Sequence, residues 1–350
     1  MDINEILREA IKKGASDIHM CVGLPPMFRI SGELIPFGNV NLTQEENRKL
    51  IYNILTTQQA KKFEEEYEID LSYGIPEGRF RINVYMDIGG VSAALRIIPA
   101  VVPTMEEIGM PEIAYKFARL PRGLVLVTGP TGSGKSTSLA AIINLINIER
   151  NCHIITIEDP IEFIYQRRKA IINQRELNFH TKSFSLALKY ALRQDPDVLL
   201  VGEMRDLETI AAAVTLAETG HLVFSTLHTI DAAQTVDRII DVFPAYQQQQ
   251  IRAQLSMALE GVISQQLLGR VGGGRVAARE VMIVNTAISN LIREGKTHQI
   301  YSAIQTNVGI GMKTMEQSLK EIYDKGLISY DEAISKSSNP DEMRRLIGGA

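Results

Sequence analysis

The segment LVLVTGPTGSGKSTSLAAIINLINI, residues 124–148, decides the fold of this chain. Its apolar start, 124–128, predicts a buried strand, and 136–148 has the apolar spacing of a helix. Between them, residues 129–136 match the complete GxxxxGK[ST] pattern of a phosphate-binding loop, the P-loop. Strand, loop and helix stand in the order that such a loop requires. The residues expected to bind phosphate are Gly129, Pro130, Thr131, Gly132, Ser133, Gly134, Lys135, Ser136 and Thr137.

Two side chains of the P-loop have expected roles of their own. Lys135 can reach the β- and γ-phosphates of a nucleotide, and the Ser136 hydroxyl can ligate Mg²⁺. The helix that begins here adds the positive end of its dipole. The loop therefore predicts binding of ATP together with Mg²⁺.

Three further apolar runs follow the first, and helical segments separate them. The runs are 154–157, 198–201 and 222–226, and helical spacing covers 184–193 and 207–218. Strands that are apolar on both faces and alternate with helices are typical of a parallel sheet covered on both sides. The fold class expected from these residues is α/β.

Polar side chains stand at the ends of these runs, and ligands of parallel sheets bind where strands end. Glu203, after the third run, is expected to hold Mg²⁺. Glu158 and Glu162, after the second run, are candidates for orienting or deprotonating water. His228 follows the fourth run and is either a sensor of the γ-phosphate or a hydrogen-bonded interior histidine. His221 stands just before that run.

The first hundred residues predict a smaller α+β domain. Apolar and polar residues alternate in 79–85 and in 91–98, which is typical of strands with one buried face. Arg81 and Arg96 stand opposite the apolar positions of these strands. The two arginines are either surface charges or groups that meet a phosphate held by the other domain.

A linker is expected between the two domains. Pro99 and Pro103 bracket it, and Thr104 with Glu107 forms a capping pair for the segment that follows. We expect a smaller domain at 1–98, a linker at 99–111 and the P-loop domain, with C-terminal helices, at 112–350.

Composition restricts the partners and the compartment. The chain has 350 residues, enough for about two domains. Its 37 basic and 41 acidic residues give a net charge of -4, whereas nucleic-acid binders usually have a basic excess, so no nucleic-acid partner is expected. Cys21 and Cys152 are far apart, as suits a reducing cytoplasm. The acidic start and the lack of a long apolar stretch predict membrane contact only through a partner.

Several blocks of the sequence resemble those of secretion ATPases. Residues 129–137 (GPTGSGKST), 156–163 (TIEDPIEF), 201–206 (VGEMRD) and 219–229 (TGHLVFSTLHT) resemble the Walker A, Asp box, Walker B and His box of that superfamily. Residues 14–34 and 287–296 (AISNLIREGK) are similar to its PilT branch, the type IV pilus retraction ATPases. The resemblance covers nearly the whole chain.

The resemblance implies an architecture and an activity. A PAS-like N-terminal domain would precede a RecA-like ATPase domain, and six copies would form a ring at the cytoplasmic face of the inner membrane. Hydrolysis of Mg-ATP would turn an inner-membrane platform protein and disassemble the pilus, which produces twitching motility.

The resemblance also assigns roles by position. Glu162 and Glu203 match the Asp box and Walker B acids, and His221 and His228 match the His box. Lys135 matches the phosphate-binding lysine.

Outside these blocks, Arg81 and Arg96 resemble the N-domain arginines that approach the γ-phosphate. Two positions depart from the family pattern: Ser289 stands where the family usually has arginine, and Ser225 stands where a smaller residue is common.

Other functions remain possible at this level. A pilus-assembly or type II secretion ATPase would usually carry a four-cysteine zinc module, which two cysteines cannot build. A nucleotide-binding regulatory protein that does not hydrolyse ATP would have little use for Glu162 and Glu203, and an ATPase assay separates the two classes. A nucleic-acid translocase is disfavoured by the charge.

Overall fold

The computed structural model describes residues 2–30, 32–98 and 101–348. The chain forms two compact units, Met1–Val101 with Glu162–Ile164, and Val102–Ile161 with Tyr165–Ala350. Pro99 and Ala100, at the start of the expected linker, lie outside the described residues. The domain limits 1–98, 99–111 and 112–350 stay a prediction.

The smaller unit is built on one antiparallel sheet. Its elements are α1 (Ile3–Lys12), β1 (Asp17–Met20), β2 (Met27–Ile30), β3 (Glu33–Pro36), α2 (Gln44–Tyr52), α3 (Thr57–Glu66), β4 (Glu68–Ile75), β5 (Gly78–Asp87) and β6 (Gly90–Ile98). The six strands lie in the order β3-β2-β1-β6-β5-β4. Phe80, Ile82 and Val84 of β5 are fully buried while Arg81 is exposed, which confirms the predicted alternation of this strand.

The larger unit is built on a mostly parallel sheet. Its elements are α4 (Glu112–Ala118), β7 (Gly123–Thr128), α5 (Lys135–Glu149), β8 (His153–Glu158), β9 (Ile171–Glu176), α6 (Phe184–Ala191), β10 (Val198–Val201), α7 (Leu207–Glu218), β11 (Leu222–Leu227), α8 (Ala232–Asp241), α9 (Ala245–Ala258), β12 (Leu259–Gly269), β13 (Arg275–Ile283), α10 (Thr286–Glu294), α11 (Ile300–Thr306), α12 (Met315–Asp324), α13 (Tyr330–Lys336) and α14 (Pro340–Gly348).

The seven strands of this sheet lie in the order β13-β12-β7-β11-β10-β8-β9. All neighbours are parallel except β12 and β13, which form an antiparallel hairpin at one edge. The four predicted strands are β7, β8, β10 and β11, and every residue of β7, β10 and β11 is buried. Burial on both faces explains why these strands are continuous apolar runs. The α/β prediction is confirmed.

The capping pair within the expected linker is not followed directly by a helix. Thr104 and Glu107 exchange hydrogen bonds of 2.7 and 3.2 Å, as a capping pair does, but they close a turn and no helix follows directly. Gly109 adopts a φ of 60°, which ends the turn, and α4 begins only at Glu112. The buried Arg279 donates to the carbonyls of Ile108 and Gly109 at 2.9 and 2.8 Å, which keeps this turn against β13.

A helix that crosses a lipid bilayer needs about 20 consecutive, mostly apolar residues. In the part of the chain that the structure describes, no helix is both long enough and apolar enough to cross a membrane.

A buried acid joins β13 to the helix layer. Glu280 is 2% exposed, and its Oε1 accepts a 2.8 Å hydrogen bond from the backbone N–H of Ala232, the first residue of α8. Burial raises the pKa of Glu280 to about 8, and the nearby acids Asp231 and Glu316 add to the increase. The carboxyl is therefore mainly neutral in the folded protein at neutral pH, while it is ionised in the unfolded chain.

This difference predicts a pH-dependent stability. Because the folded pKa lies above the unfolded one, the contribution of Glu280 is most favourable at low pH and is lost as the pH rises towards about 8. Glu280→Gln removes the titration. Between pH 5.5 and 8, the free energy of unfolding of the variant should therefore rise relative to that of the wild type, by up to about 1.4 kcal/mol per pH unit. The thermal unfolding midpoints of the two proteins, recorded across this pH range, measure the difference. The exposed Glu106→Gln is the control. Parallel pH profiles of Glu280→Gln and wild type would contradict the assignment.

Candidate functional site

The P-loop connects β7 to α5 and depends on glycines at its tightest points. Gly129, Gly132 and Gly134 have φ angles of 142, 79 and 85°, values that other residues rarely adopt. At Gly129 space is also decisive, because a Cβ there would lie 2.2 Å from the backbone oxygen of Gln265. Pro130, Thr131 and Gly132 are exposed at the tip of the loop.

The base of the loop is formed by the first turn of α5. Lys135 is 9% exposed, and its Nζ donates to the backbone oxygens of Gly129 and Pro130 at 2.8 and 2.9 Å. Ser136 and Thr137 are half-buried beside it. Ser133 is 3% exposed, and its Oγ has no hydrogen-bond partner among the described residues. A cationic amine, hydroxyls and the N-terminus of α5 therefore converge, a combination that suits phosphate.

A second group of side chains lies at the carboxyl ends of β10 and β11. Glu203 is two residues beyond β10, and its Oε1 lies 2.7 Å from Nε of Arg205. Its Oε2 lies 3.8 Å from Nε2 of His228, the residue that follows β11. Thr226 and Ser225 donate to the carbonyls of Gly202 and Val201 at 2.6 and 2.7 Å, which ties these two strand ends together.

Electrostatics connects this group to the P-loop. Partial burial lowers the pKa of His228 below its usual 6.5, and the positive charge of Lys135 lowers it further, while Glu203 acts in the opposite direction. His228 is therefore mainly neutral at pH 7. A neutral imidazole can donate a hydrogen bond from one nitrogen and accept one at the other.

Glu158 lies farther from the P-loop. It ends β8, which is separated from β7 by two other strands, a distance of about 14 Å at the usual spacing. It is 8% exposed and accepts from the Thr156 hydroxyl at 2.6 Å and from Nε2 of Gln174 at 3.4 Å. Glu176, which the sequence did not single out, pairs with Glu158 in register on β9 and accepts from the N–H of Ile161 at 3.2 Å.

The structure does not bring His221 to the P-loop of its own chain. His221 precedes β11 at the amino end of the sheet, where its carbonyl accepts from the N–H of Gly123 at 3.0 Å and its Nδ1 lies 3.0 Å from the oxygen of Leu216. The six residues of β11 then separate it from His228 by about 20 Å. The resemblance to secretion ATPases groups both histidines, because both match the His box at 219–229.

Three candidates belong to the smaller unit. Glu162 is exposed. Arg81 and Arg96 are direct neighbours in the register of β5 and β6, and both are exposed. Nε of Arg96 lies 3.0 Å from Oδ1 of Asp17 on β1. Burial raises the pKa of Asp17, but hydrogen bonds from Ser16 and Arg96 outweigh it and leave that pKa below its usual value.

Sequence reasoning missed Gln265 on β12, beside β7. Gln265 is 1% exposed, and its side-chain amide bonds to Ser133 and Ser138 of the P-loop and α5. Ser264, before it, shares a 2.8 Å hydroxyl contact with Thr128, the last residue of β7. The sequence does contain a signal for this residue: adjacent polar residues interrupt an apolar run in ISQQLL at 263–268.

Ser289, a departure from the family pattern, also has a defined contact. It lies on α10, where Ile288 and Ile292 are buried and Arg293 and Glu294 are exposed. The Ser289 hydroxyl donates to the carbonyl of Ser256 in the last turn of α9 at 2.6 Å. It therefore satisfies a carbonyl that the end of a helix leaves without a backbone partner.

The chain is similar to known proteins over most of its length. The family model described as "Type II/IV secretion system protein" matches residues 1–335. The chain is 52% identical to the "Type IV pilus retractation ATPase PilT" of Pseudomonas aeruginosa over 98% of this chain and 100% of that protein. It is 50% identical to a "Twitching motility protein" of Neisseria gonorrhoeae over 91% of this chain and 86% of that protein.

A solved structure is similar over the same extent. The pilus retraction motor PilT with bound ADP is 49% identical to this chain and covers 99% of it, with 99% of that structure covered in turn and a TM-score of 0.93.

The site predicts separate effects on binding and on hydrolysis. Glu203→Gln keeps the size of the side chain but removes its charge and basicity, so nucleotide binding should persist while hydrolysis falls about 10²–10⁴-fold. ADP affinity and ATP turnover of the purified protein measure the two effects. Glu208→Gln, an exposed acid in the first turn of α7, is the matched control and should hydrolyse ATP normally. Normal turnover in Glu203→Gln would leave that residue a structural role only.

Proposed function

The chain belongs to the type II/IV secretion system protein family, as a pilus retraction ATPase, and we propose that it acts as a closed ring of six copies driven by Mg-ATP. The observation that carries the function is the convergence of a complete P-loop with Glu203 and His228 in one unit of a chain that is similar to retraction motors over its full length. A ring suits the task, because one-way work on a single axial partner fits cyclic symmetry.

The residues present suit Mg²⁺ as the metal of this site. Mg²⁺ prefers oxygen ligands, and the hydroxyl of Ser136 and the carboxylate of Glu203 are of that kind. When bound, Mg²⁺ would neutralise charge on the β- and γ-phosphates. Lys135 would bind the same phosphates, and the N–H groups of the P-loop would surround them.

The remaining polar residues have different proposed roles in hydrolysis. We assign Glu203, 17% exposed in its side chain, to holding the metal or orienting water, and neutral His228 beside it to a hydrogen bond with the γ-phosphate. Glu162, in the segment similar to the Asp box, is the second acid that we assign to water. Glu158, held by Thr156 and Gln174, is better suited to keeping the end of β8 in place. His221, at the other end of β11, would act only through a neighbouring copy.

Arg81 and Arg96 are proposed to complete the site when the smaller domain closes on the nucleotide. Their neighbouring positions on β5 and β6 place two guanidinium groups on one exposed face, and such groups can fork onto phosphate oxygens. The linker at 99–111 would be the hinge. Arg96 can exchange its ion pair with Asp17 for a phosphate at small cost, because exposed ion pairs contribute little.

The partner and the location follow from the proposed task. Retraction needs a membrane-embedded element that the ring can turn, so we propose an inner-membrane platform protein as the partner. The ring would lie at the cytoplasmic face, and it would contact the membrane through that protein. Nucleic acid is not a proposed partner, given the net charge of -4.

Loss of the P-loop lysine tests the function. Lys135→Ala removes the charge at the phosphates, so ATP hydrolysis by the purified protein should be abolished. A deletion strain that carries this variant should lose surface motility and keep or accumulate pili, whereas loss of an assembly motor would remove the pili. The measurements are turnover, pilus counts and motility beside a wild-type complement. Turnover like the wild type, or a strain without pili, would contradict the proposal.

The arginine proposal has its own test. If Arg81 and Arg96 act at the γ-phosphate, Arg81→Ala and Arg96→Ala should bind ADP almost normally and hydrolyse ATP far more slowly. Arg29→Ala, on β2, two strands from Arg96, is a control for loss of charge from the same sheet. Mixing Arg81→Ala subunits with Lys135→Ala subunits should restore activity if the arginine acts between copies. Wild-type hydrolysis by both arginine variants would reduce them to surface charges.

A further inference from the structure

We propose that Gln265 is a positioning residue that orients the peptide between Ser133 and Gly134, so that the N–H of Gly134 faces the phosphates of the nucleotide. This inference rests on the proposed ATPase function and adds to it a residue outside the blocks 129–137, 156–163, 201–206 and 219–229. Gln265 lies on β12, the strand next to the P-loop strand β7.

Both ends of the Gln265 amide are hydrogen-bonded, each in a defined direction. Its Nε2 donates to the backbone oxygen of Ser133 at 2.7 Å, and its Oε1 accepts from the Ser138 hydroxyl at 2.9 Å. A carbonyl oxygen can only accept, so Nε2 must be the atom that faces Ser133. The side chain is 1% exposed. It therefore bridges the end of the P-loop and the second turn of α5 in a single orientation.

This orientation determines where a neighbouring N–H points. The peptide group is planar and trans, so its C=O and its N–H point in opposite directions. The C=O of Ser133 points at Gln265, and the N–H of Gly134 in the same peptide group therefore points away from β12. Gly134 is the N-cap of α5 with a φ of 85°, and the N–H groups at such a helix start are the ones that bind anions.

The other groups near this peptide do not replace Gln265. The Oγ of Ser133 has no hydrogen-bond partner among the described residues, so the loop's own hydroxyl does not hold the peptide. Lys135 bonds to the carbonyls of Gly129 and Pro130, at the opposite end of the loop. Gln265 itself is held by the sheet, since its neighbour Ser264 is in register with Thr128 of β7.

A neutral amide suits this position better than a charged group. An acid would repel both the Ser133 carbonyl and the phosphates, and a lysine or arginine would compete with Lys135. The amide donates to the carbonyl without adding charge near the phosphates. The side chain that follows, Gln266, points to the other face of the sheet and is only half-buried, which makes it a matched control.

The experiment compares Gln265→Leu, Gln265→Glu, Ser138→Ala and Gln266→Leu. ADP affinity, KM and kcat for ATP are measured on the purified full chain, with the thermal unfolding midpoint recorded with and without ADP. Gln265→Leu should bind ADP about 10–100-fold more weakly, the usual worth of a hydrogen bond to a charged group. Its KM should rise with the loss of affinity. Ser138→Ala should have a smaller effect, since the bond to Ser133 remains, and Gln266→Leu should behave as the wild type.

Gln265→Glu gives a pH-dependent ADP affinity, which a change in packing alone would not produce. When ionised, the introduced carboxylate opposes the Ser133 carbonyl, but when protonated it carries a donor in place of the lost N–H. ADP affinity relative to the wild type at the same pH should therefore recover as the pH falls. No such recovery is expected for Gln265→Leu.

The outcomes separate the inference from the proposed function. If Gln265→Leu lowers the unfolding midpoint but binds ADP like the wild type, Gln265 has only a structural role and the inference is wrong. If Gln265→Leu does not fold, Gln265→Glu decides, and ADP affinity equal to that of the wild type at every pH overturns the inference. A wild-type protein that fails to hydrolyse ATP would instead contradict the proposed function.

Discussion

The close approach of two backbones at Gly129 is the constraint on which the larger unit depends. Strand β7 pairs in parallel with β11 on one side and with β12 on the other, and the P-loop must leave the sheet between them. A Cβ at Gly129 would lie 2.2 Å from the oxygen of Gln265, so only glycine allows the loop to pass β12. The position of α5, and with it Lys135 and Ser136, follows from that passage.

Charge in the site is distributed over two groups that different strands supply. Lys135 provides the buried cation of the P-loop, and Glu203 provides an anion that Arg205 partly balances. Burial and the charge of Lys135 lower the pKa of His228 and outweigh the opposite effect of Glu203, so His228 is mainly neutral at pH 7. A neutral histidine can donate a hydrogen bond to a phosphate without adding a second cation to the site.

In the smaller unit, the register of the antiparallel sheet determines where the arginines lie. Antiparallel register places Arg81 beside Arg96, and Arg96 beside Asp17, across three neighbouring strands. The buried side chains of the same strands fix this register, because a shift by one residue would expose Phe80, Ile82 and Val84. The exposed charged row is thus a consequence of how the opposite face packs.

The sequence by itself determined the P-loop, the four buried strands around it and the α/β class, because a continuous apolar run and a glycine-rich turn are local signals. It also singled out Glu203 and His228 as candidates, which stand within two residues of the ends of β10 and β11. Only the tertiary structure gave the contacts of His221 at the amino end of β11, where it lies against Gly123 and Leu216. The same holds for Gln265, which lies 132 residues from Ser133 in sequence and reaches it because β12 pairs with β7. Strand pairing is a long-range contact, and no local pattern encodes it.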